Sequence, residues 1–284
     1  MSAIESVSNI ATKFKDEFTD TASQLKQRAS QLQETAPQLA SEIQETVEPF
    51  KKDFLATVQA MDDVSTPPLV VLSSLTWSTI LILGSSLANL VSSYLLAPIF
   101  LLLIGDWGAL AGVLVGVPLY GYFIIKSSVA KDAADSTIRF FLLGAALVNG
   151  LLTGFLIRNS FLSATPCASM VVGVATVLYP IAAANFGGKR QLLLGVSVGG
   201  SLAVTLTLGA ILGKLTGAFL ALTLLYGACT VLALQYIFQH AKDESAKTYT
   251  YQLGLLVSTT AAYLLIHSIF GMSADAHANY KDSR

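Results

Sequence analysis

Carboxylates, imidazoles and thiols are the side chains that would move ions, hold a metal or attack a substrate. The apolar stretch of this chain contains very few of them. Between Pro67 and Phe238 there are three acids, Asp106, Asp132 and Asp135, all in predicted loops. A path for Ca²⁺ or protons across a bilayer needs oxygen anions that coordinate hard cations or titrate. The segment "TVLALQYIFQHAKDES", residues 230–245, shows the contrast. Its centre is Ala233, Leu234 and Gln235, and its charges, Lys242, Asp243 and Glu244, come only after the apolar run ends. The remaining ionisable residues at or near predicted spans are Arg139, Arg158, His240 and His267. Arg139 and Arg158 bracket one span and can extend to its two interfaces. His267 lies inside the last span, where a neutral, hydrogen-bonded imidazole is expected rather than a proton relay. Asn89, Asn149 and Asn185 are read as interhelical hydrogen-bonding residues.

Other chemistries find no pattern. Cys167 and Cys229 both fall in apolar segments and read as small buried side chains, without a disulfide framework or metal site. Metalloprotease, nucleophile-elbow, Walker and dinucleotide fingerprints are absent. Gly187–Gly188–Lys189–Arg190 is too short a loop to cradle phosphate. No catalytic residue, metal, cofactor or nucleic-acid partner is expected, so the chain reads as non-enzymatic.

The elements around these residues are membrane spans. The chain has 284 residues, 53% hydrophobic and 12% charged, whereas soluble domains average about 25% charged. So few charges cannot cover a soluble fold of this size, and the composition predicts an all-α polytopic membrane protein of about seven transmembrane helices. The spans are predicted at 69–92, 107–125, 139–157, 167–186, 191–212, 216–239 and 250–270. The apolar run of the first continues to Ile104 and must break, with Pro98 as the expected place and 94–104 as an interfacial or re-entrant piece. Two short spans turning at Gly84–Ser86 are the alternative there. Pro118 and Pro180 are expected to kink their helices.

Lys/Arg bias sets the orientation. Loops on the N-terminal side hold Lys126, Lys131, Arg139, Lys189, Arg190, Lys242 and Lys247, and the other side holds Arg158 and Lys214. The N-terminus is therefore expected on the cytosolic or matrix side, with Lys281 and Arg284 opposite; eight spans would reverse this. Glycines at four-residue spacing, Gly108/Gly112/Gly116, Gly150/Gly154 and Gly195/Gly199, are expected to let neighbouring helices approach closely within the subunit.

Residues 1–65 differ in kind. They carry six Lys/Arg and eleven Asp/Glu, against eleven and seven in the rest. An apolar stripe runs from Ile4 through Phe14, Leu25, Leu32, Ile43 and Phe54 to Met61 in steps of three or four. Its period is about 3.56, between a straight helix and a coiled coil. Pro37 and Pro49 divide it into helices expected near 3–35, 38–47 and 50–62. Acids such as Glu5, Asp16 and Glu17 argue against a cleaved presequence, and no signal peptide is read. The acidic polar face disfavours anionic lipid, so a protein partner for 1–62 is expected; packing on the chain's own membrane domain and lipid-surface binding are the other readings. The expected organisation is an amphipathic arm, 1–65, a seven-helix membrane domain, 66–271, and a short polar tail, 272–284.

The segments "STIRFFLLGAALVNGLLTGFLI", "TPCASMVVGVATVLYPIAAANFGGKRQLLLGVSVGGSL" and "LLYGACTVLALQYIFQHA" resemble the third to sixth helices of the Bax inhibitor family. The resemblance covers about 68–270. It implies a seven-helix intracellular membrane protein, with the family's roles in cell-death suppression and calcium leak. In that family a pair of aspartates closes the pore, and the matching positions here carry Ala233 and Thr259. The expected function is a scaffold or accessory subunit of a membrane complex acting through its arm, in the mitochondrial inner membrane or endoplasmic reticulum. A Ca²⁺/H⁺ leak or a lipid-shaping protein are the alternatives.

Overall fold

A computed structural model of the chain describes residues 52–273, except 54, 61, 66, 97–99, 102, 130–132, 159, 162–164 and 241–244. Contacts divide the chain into two units, Met1–Gln59 and Ala60–Arg284. In the first unit residues 52–53 and 55–59 are helical. The arm helices expected at 3–35 and 38–47, the break at Pro98 and the tail after residue 273 lie outside the described residues.

Among the described residues of the second unit, seven helices of 17 residues or more follow. α1 spans Pro68–Val91, with Pro68 in the first turn, where its missing N–H leaves nothing unsatisfied. It runs on into a π-helical segment, Ser92–Leu96. The helix is unbroken through 84–86, so the alternative of two short spans turning there is not what forms. α2 is Gly105–Ser128 and α5 is Arg190–Ile211. Each contains a π-helical turn bounded by glycines, Gly112–Gly116 and Gly195–Gly199. α3 is Asp135–Leu156. α4, Met170–Phe186, follows a helical turn at Thr165–Ala168 and holds Pro180 within it. α6 is Gly217–His240 and α7 is Ser245–Phe270. A two-residue antiparallel pair, Ser160–Phe161 with Met272–Ser273, joins the α3–α4 connection to the end of α7. Among the described residues, six of the helices are long and apolar enough to cross a membrane, and α4, at 17 residues, is shorter. The expectation of seven full-length spans is thus met by six.

Side-chain contacts give each helix its direction. Gly150 and Gly154 of α3 meet Ser85 and Asn89 of α1 in the same order, so these two run parallel. Asp135 and Asn149 of α3 meet Tyr249 and Thr260 of α7, again in order. α6 returns against α7, Tyr226 packing with Tyr263 and Cys229 lying beside Ser258. α5 runs against α6, with Gly209 at Phe219 and Gly227 at Leu202. α2 runs against α3, with Asp106 at Arg158 and Gly112 at Leu152. Helices α1, α3, α5 and α7 therefore share one sense, and α2 and α6 the other. The chain must turn back between α3 and α5, and α4 makes that return.

The surface is more apolar than that of a soluble bundle, while the apolar core also holds small polar side chains. Trp107, Leu119, Tyr120, Phe123, Phe140, Ile211 and Ile269 are exposed, while Ser74, Ser78, Asn149, Thr230, Gln235 and Gln252 are buried. A surface of this kind suits hydrocarbon, where apolar side chains face out and every backbone polar group is bonded within a helix.

The most extensive contact is between α1 and α3. A Cβ on Gly150 would fall on the Ser85 carbonyl group, 2.7 Å from its carbon, and one on Gly154 would lie 2.9 Å from the Asn89 carbonyl carbon. Nothing lies within 4 Å of a Cβ at Gly195 or Gly199. Gly150→Leu is expected to lower stability in detergent by ~1–3 kcal/mol or more, because the obstacle is backbone. Gly199→Ala is expected to leave the melting temperature unchanged or slightly raised. Equal effects of the two in thermal unfolding would contradict this packing.

Candidate functional site

The buried hydroxyls are the first candidates for a polar path through the bundle. Most of them are bonded to their own helix. Ser74 donates to the Val70 carbonyl, Ser78 to Ser74, Thr153 to Asn149, Thr230 to Tyr226 and Thr259 to Leu255, at 2.7–2.9 Å. A hydroxyl used in this way fills its own helix's carbonyl.

The polar groups that reach between helices form two layers. In the first, Asn149 of α3, 1% exposed, donates from Nδ2 to Thr260 Oγ1 of α7 at 2.8 Å and to Ser85 Oγ of α1 at 3.4 Å. Ser93 donates to the Gly154 carbonyl at 3.2 Å, one helical turn further along. Three helices are thus joined at the level where α1 and α3 touch backbone to backbone. Thr79 and Thr176 tie α1 to α4 at 3.0 Å.

The second layer lies at the end where α1, α3, α5 and α7 begin. Arg139 pairs with Asp135 at 2.6 Å one turn apart and lies 4.7 Å over the Trp77 ring. The Tyr249 hydroxyl donates to the same Asp135. Arg190, the first residue of α5, is buried; its Nη2 donates to the Gln235 carbonyl at 3.3 Å, and its guanidinium stands 5.6 Å from the Phe238 ring centroid. The segment before α1 crosses this end, the Val64 N–H donating to the Gly188 carbonyl at 2.6 Å. At the opposite end Arg158 pairs with Asp106 at 2.6 Å and covers the Phe155 ring at 4.1 Å.

The residues singled out in the sequence are placed as follows. Among the glycines, Gly150 and Gly154 face α1, and Gly112 faces Leu152 of α3. Gly108 faces its own Ile104, and Gly116 has only Ala111 O, at 3.9 Å, nearby. Gly112 and Gly116 also line an apolar groove of about 520 Å³ between α2 and α3, walled by Tyr120, Phe140 and Phe141. His267 is buried beside Tyr263, ring centroids 5.1 Å apart. Asn149 bridges helices, but Asn185 donates to the Ile181 carbonyl of its own helix at 2.7 Å, and Asn89 Oδ1 accepts from Ser93 on the same helical run. Sequence reasoning missed the pairs Asp106–Arg158 and Asp135–Tyr249, because partners 52 and 114 residues apart leave no local pattern. It also treated Arg190 as a loop cation. Among the described residues no group of three or more His, Cys, Asp or Glu could hold a metal.

Fold and polar layers together define a helical bundle with an apolar exterior and an apolar core that also holds small polar side chains, and its six long apolar helices fit an integral membrane protein. A family model described as Interactor of ZYG-11 matches residues 1–273, and the chain belongs to that family. No curated protein and no solved structure matches it. This overturns the resemblance to the Bax inhibitor family. Helix order, glycine placement and loop charge are common to many polytopic bundles, and the resemblance left out the arm, which the matching family includes. Ala233 and Thr259 accordingly stand for no missing acids: Ala233 packs beside Cys229 against a core cluster, and Thr259 caps the Leu255 carbonyl.

Asn149→Ala removes the bond to Thr260 and the longer one to Ser85. Stability in detergent is expected to fall by ~0.6–1.7 kcal/mol, the range of interhelical hydrogen bonds in membranes. Combined with Thr260→Val, the loss should be smaller than the sum of the two single losses. Strict additivity would show that the layer is not coupled.

Proposed function

We propose that this chain is a non-enzymatic membrane-embedded binding protein whose N-terminal arm holds a protein partner, ZYG-11 or a protein of that kind, at the membrane surface. The observation that carries this reading is that the match to the family described as Interactor of ZYG-11 starts at residue 1. The arm therefore belongs to what the family shares. The sequence stripe of Phe14, Phe18 and Leu25, set among acidic and polar residues, would give a helix an apolar face of the kind that a groove or a second helix covers.

The bundle is the anchor in this reading, and it crosses the membrane seven times. Since α3 and α5 run in the same sense, the segment between them must return across the bilayer. α4, Met170–Phe186, is ~26 Å long at 1.5 Å per residue, and the helical turn at Thr165–Ala168 ahead of it adds to the reach needed for hydrocarbon ~30 Å thick. Lys126, Arg139, Lys189 and Arg190 fall at the end where α1 begins, and Arg158 and Lys214 at the other. The positive-inside bias puts the first end on the cytosolic or matrix side.

Two outcomes test the proposal. Full-length protein in nanodiscs should capture purified ZYG-11, and the triple substitution Phe14→Ser, Phe18→Ser, Leu25→Ser should weaken capture roughly tenfold or more while leaving the melting temperature of the bundle unchanged. Capture that ignores these substitutions, or no capture at all, would remove the arm from its assigned role. Epitopes placed before residue 60 and after residue 273 should also be reached from opposite faces of sealed vesicles. Access from the same face would mean that α4 does not cross.

A further inference from the structure

The groove between α2 and α3 opens on the outer surface of the bundle: Tyr120 and Phe140, on its walls, are 56% and 74% exposed. The contacts Asp106–Arg158 and Gly112–Leu152 fix one antiparallel register for the two helices. In that register the groove starts at Gly112 and Leu152, ~9 Å inside the Asp106–Arg158 pair. It then runs past Gly116 and Gly144 to Phe140, next to Arg139 at the end where α1 begins. From Phe140 to Leu152 it is ~18 Å long at 1.5 Å per residue. It therefore lies along the helix axes and covers a little more than half of hydrocarbon ~30 Å thick.

The floor of the groove is bare backbone. Nothing lies within 4 Å of a Cβ at Gly144, and a Cβ at Gly116 would have only Ala111 O, 3.9 Å away. A smooth floor between aromatic walls suits a flat, rigid hydrocarbon. A helix, ~10–12 Å across with its side chains, is too broad for it. A flexible acyl chain would lose rotational freedom on entering, whereas fused rings have little to lose. The volume of about 520 Å³ is that of a small-molecule site, ~300–1,000 Å³.

The sequence of α2 supplies an independent observation. "VPLYGYFIIK", residues 117–126, sets Val117, Tyr120 and Lys126 at the spacing proposed for sterol contact, L/V-x₁₋₅-Y-x₁₋₅-K/R. The pattern by itself names no ligand, because apolar helices match it by chance. Here Val117 and Tyr120 both line the groove. Lys126 is exposed and, in the register above, stands just beyond Phe140 at the interface end.

We propose that the groove between α2 and α3 is a sterol site. The rings lie along Gly144 and Gly116, between Tyr120 and the two phenylalanines. The hydroxyl faces the Lys126 end, where a long cationic side chain can extend to the interface and donate to it. The apolar tail points toward Gly112 and Leu152. This site is independent of the arm and its partner.

The test uses full-length protein in phosphatidylcholine nanodiscs holding a photoactivatable cholesterol. A parallel sample holds phosphatidylcholine with the same reactive group on one acyl chain. Labelled peptides are read by mass spectrometry. In the wild type the sterol probe should label 112–125 and 140–152 roughly tenfold more than the acyl probe at equal mole fraction, and unlabelled cholesterol should compete. G144L fills the groove from a position with open space around its Cβ. It should melt at the wild-type temperature and lose most of the sterol labelling. G199L, at an open glycine outside the groove, should keep it, and K126Q should lose part of it. Equal labelling by the two probes in the wild type overturns the proposal, whether or not G144L folds, because the groove would then take any hydrocarbon. So does sterol labelling that survives in a folded G144L or falls equally in G199L.

Discussion

Helices α1 and α3 touch backbone to backbone, and the rest of the bundle is organised around that contact. Between lipid tails no hydrophobic force draws two apolar helices together, so close packing and interhelical hydrogen bonds must do it. Gly150 and Gly154 remove the side chains that would hold the axes apart. At the same level Asn149 bonds to α7 and, at longer range, to α1, so three helices of common direction are fixed by one short layer. α2 leans on this core through Leu152 against Gly112, and α4 through Thr176 against Thr79.

The interior is apolar with small polar side chains set into it. Its hydroxyls are mostly bonded to carbonyls of their own helices, which lets small side chains pack where a larger apolar residue would separate the backbones. Charge gathers at the two ends. At one, Asp106 and Arg158 tie α2 to α3. At the other, Asp135 receives both Arg139 and Tyr249, while Arg190 is drawn inward over Phe238. An end with a buried cation, exposed lysines and a segment strapped across it is chemically unlike the opposite face. That asymmetry is what the proposed orientation rests on.

Much of the helical layout is legible in the sequence, because apolar runs of about twenty residues separated by short charged loops allow few other structures. The helix ends are less so. α3 begins at Asp135 and α7 at Ser245, earlier than hydropathy alone puts them, since a first turn can carry charged and polar residues. Glycine spacing identifies a helix face but not what that face meets: the same four-residue step lies against backbone at Gly150 and Gly154, opens onto a groove at Gly116, and has nothing near it at Gly195 and Gly199. Long-range pairs such as Asp135–Tyr249 leave no local trace. Helix order and loop charge are shared by unrelated bundles, which is why they suggested the wrong family. The arm, which those features ignore, is part of the match to the family described as Interactor of ZYG-11.

Extraction of the chain from its native membranes in mild detergent, followed by a native gel and mass spectrometry of the band, bears most directly on partner binding. The proposed function predicts a band heavier than the 30.0 kDa chain and its detergent, containing a second protein in constant ratio. A band holding this chain alone, across detergents that keep the bundle folded, would contradict it.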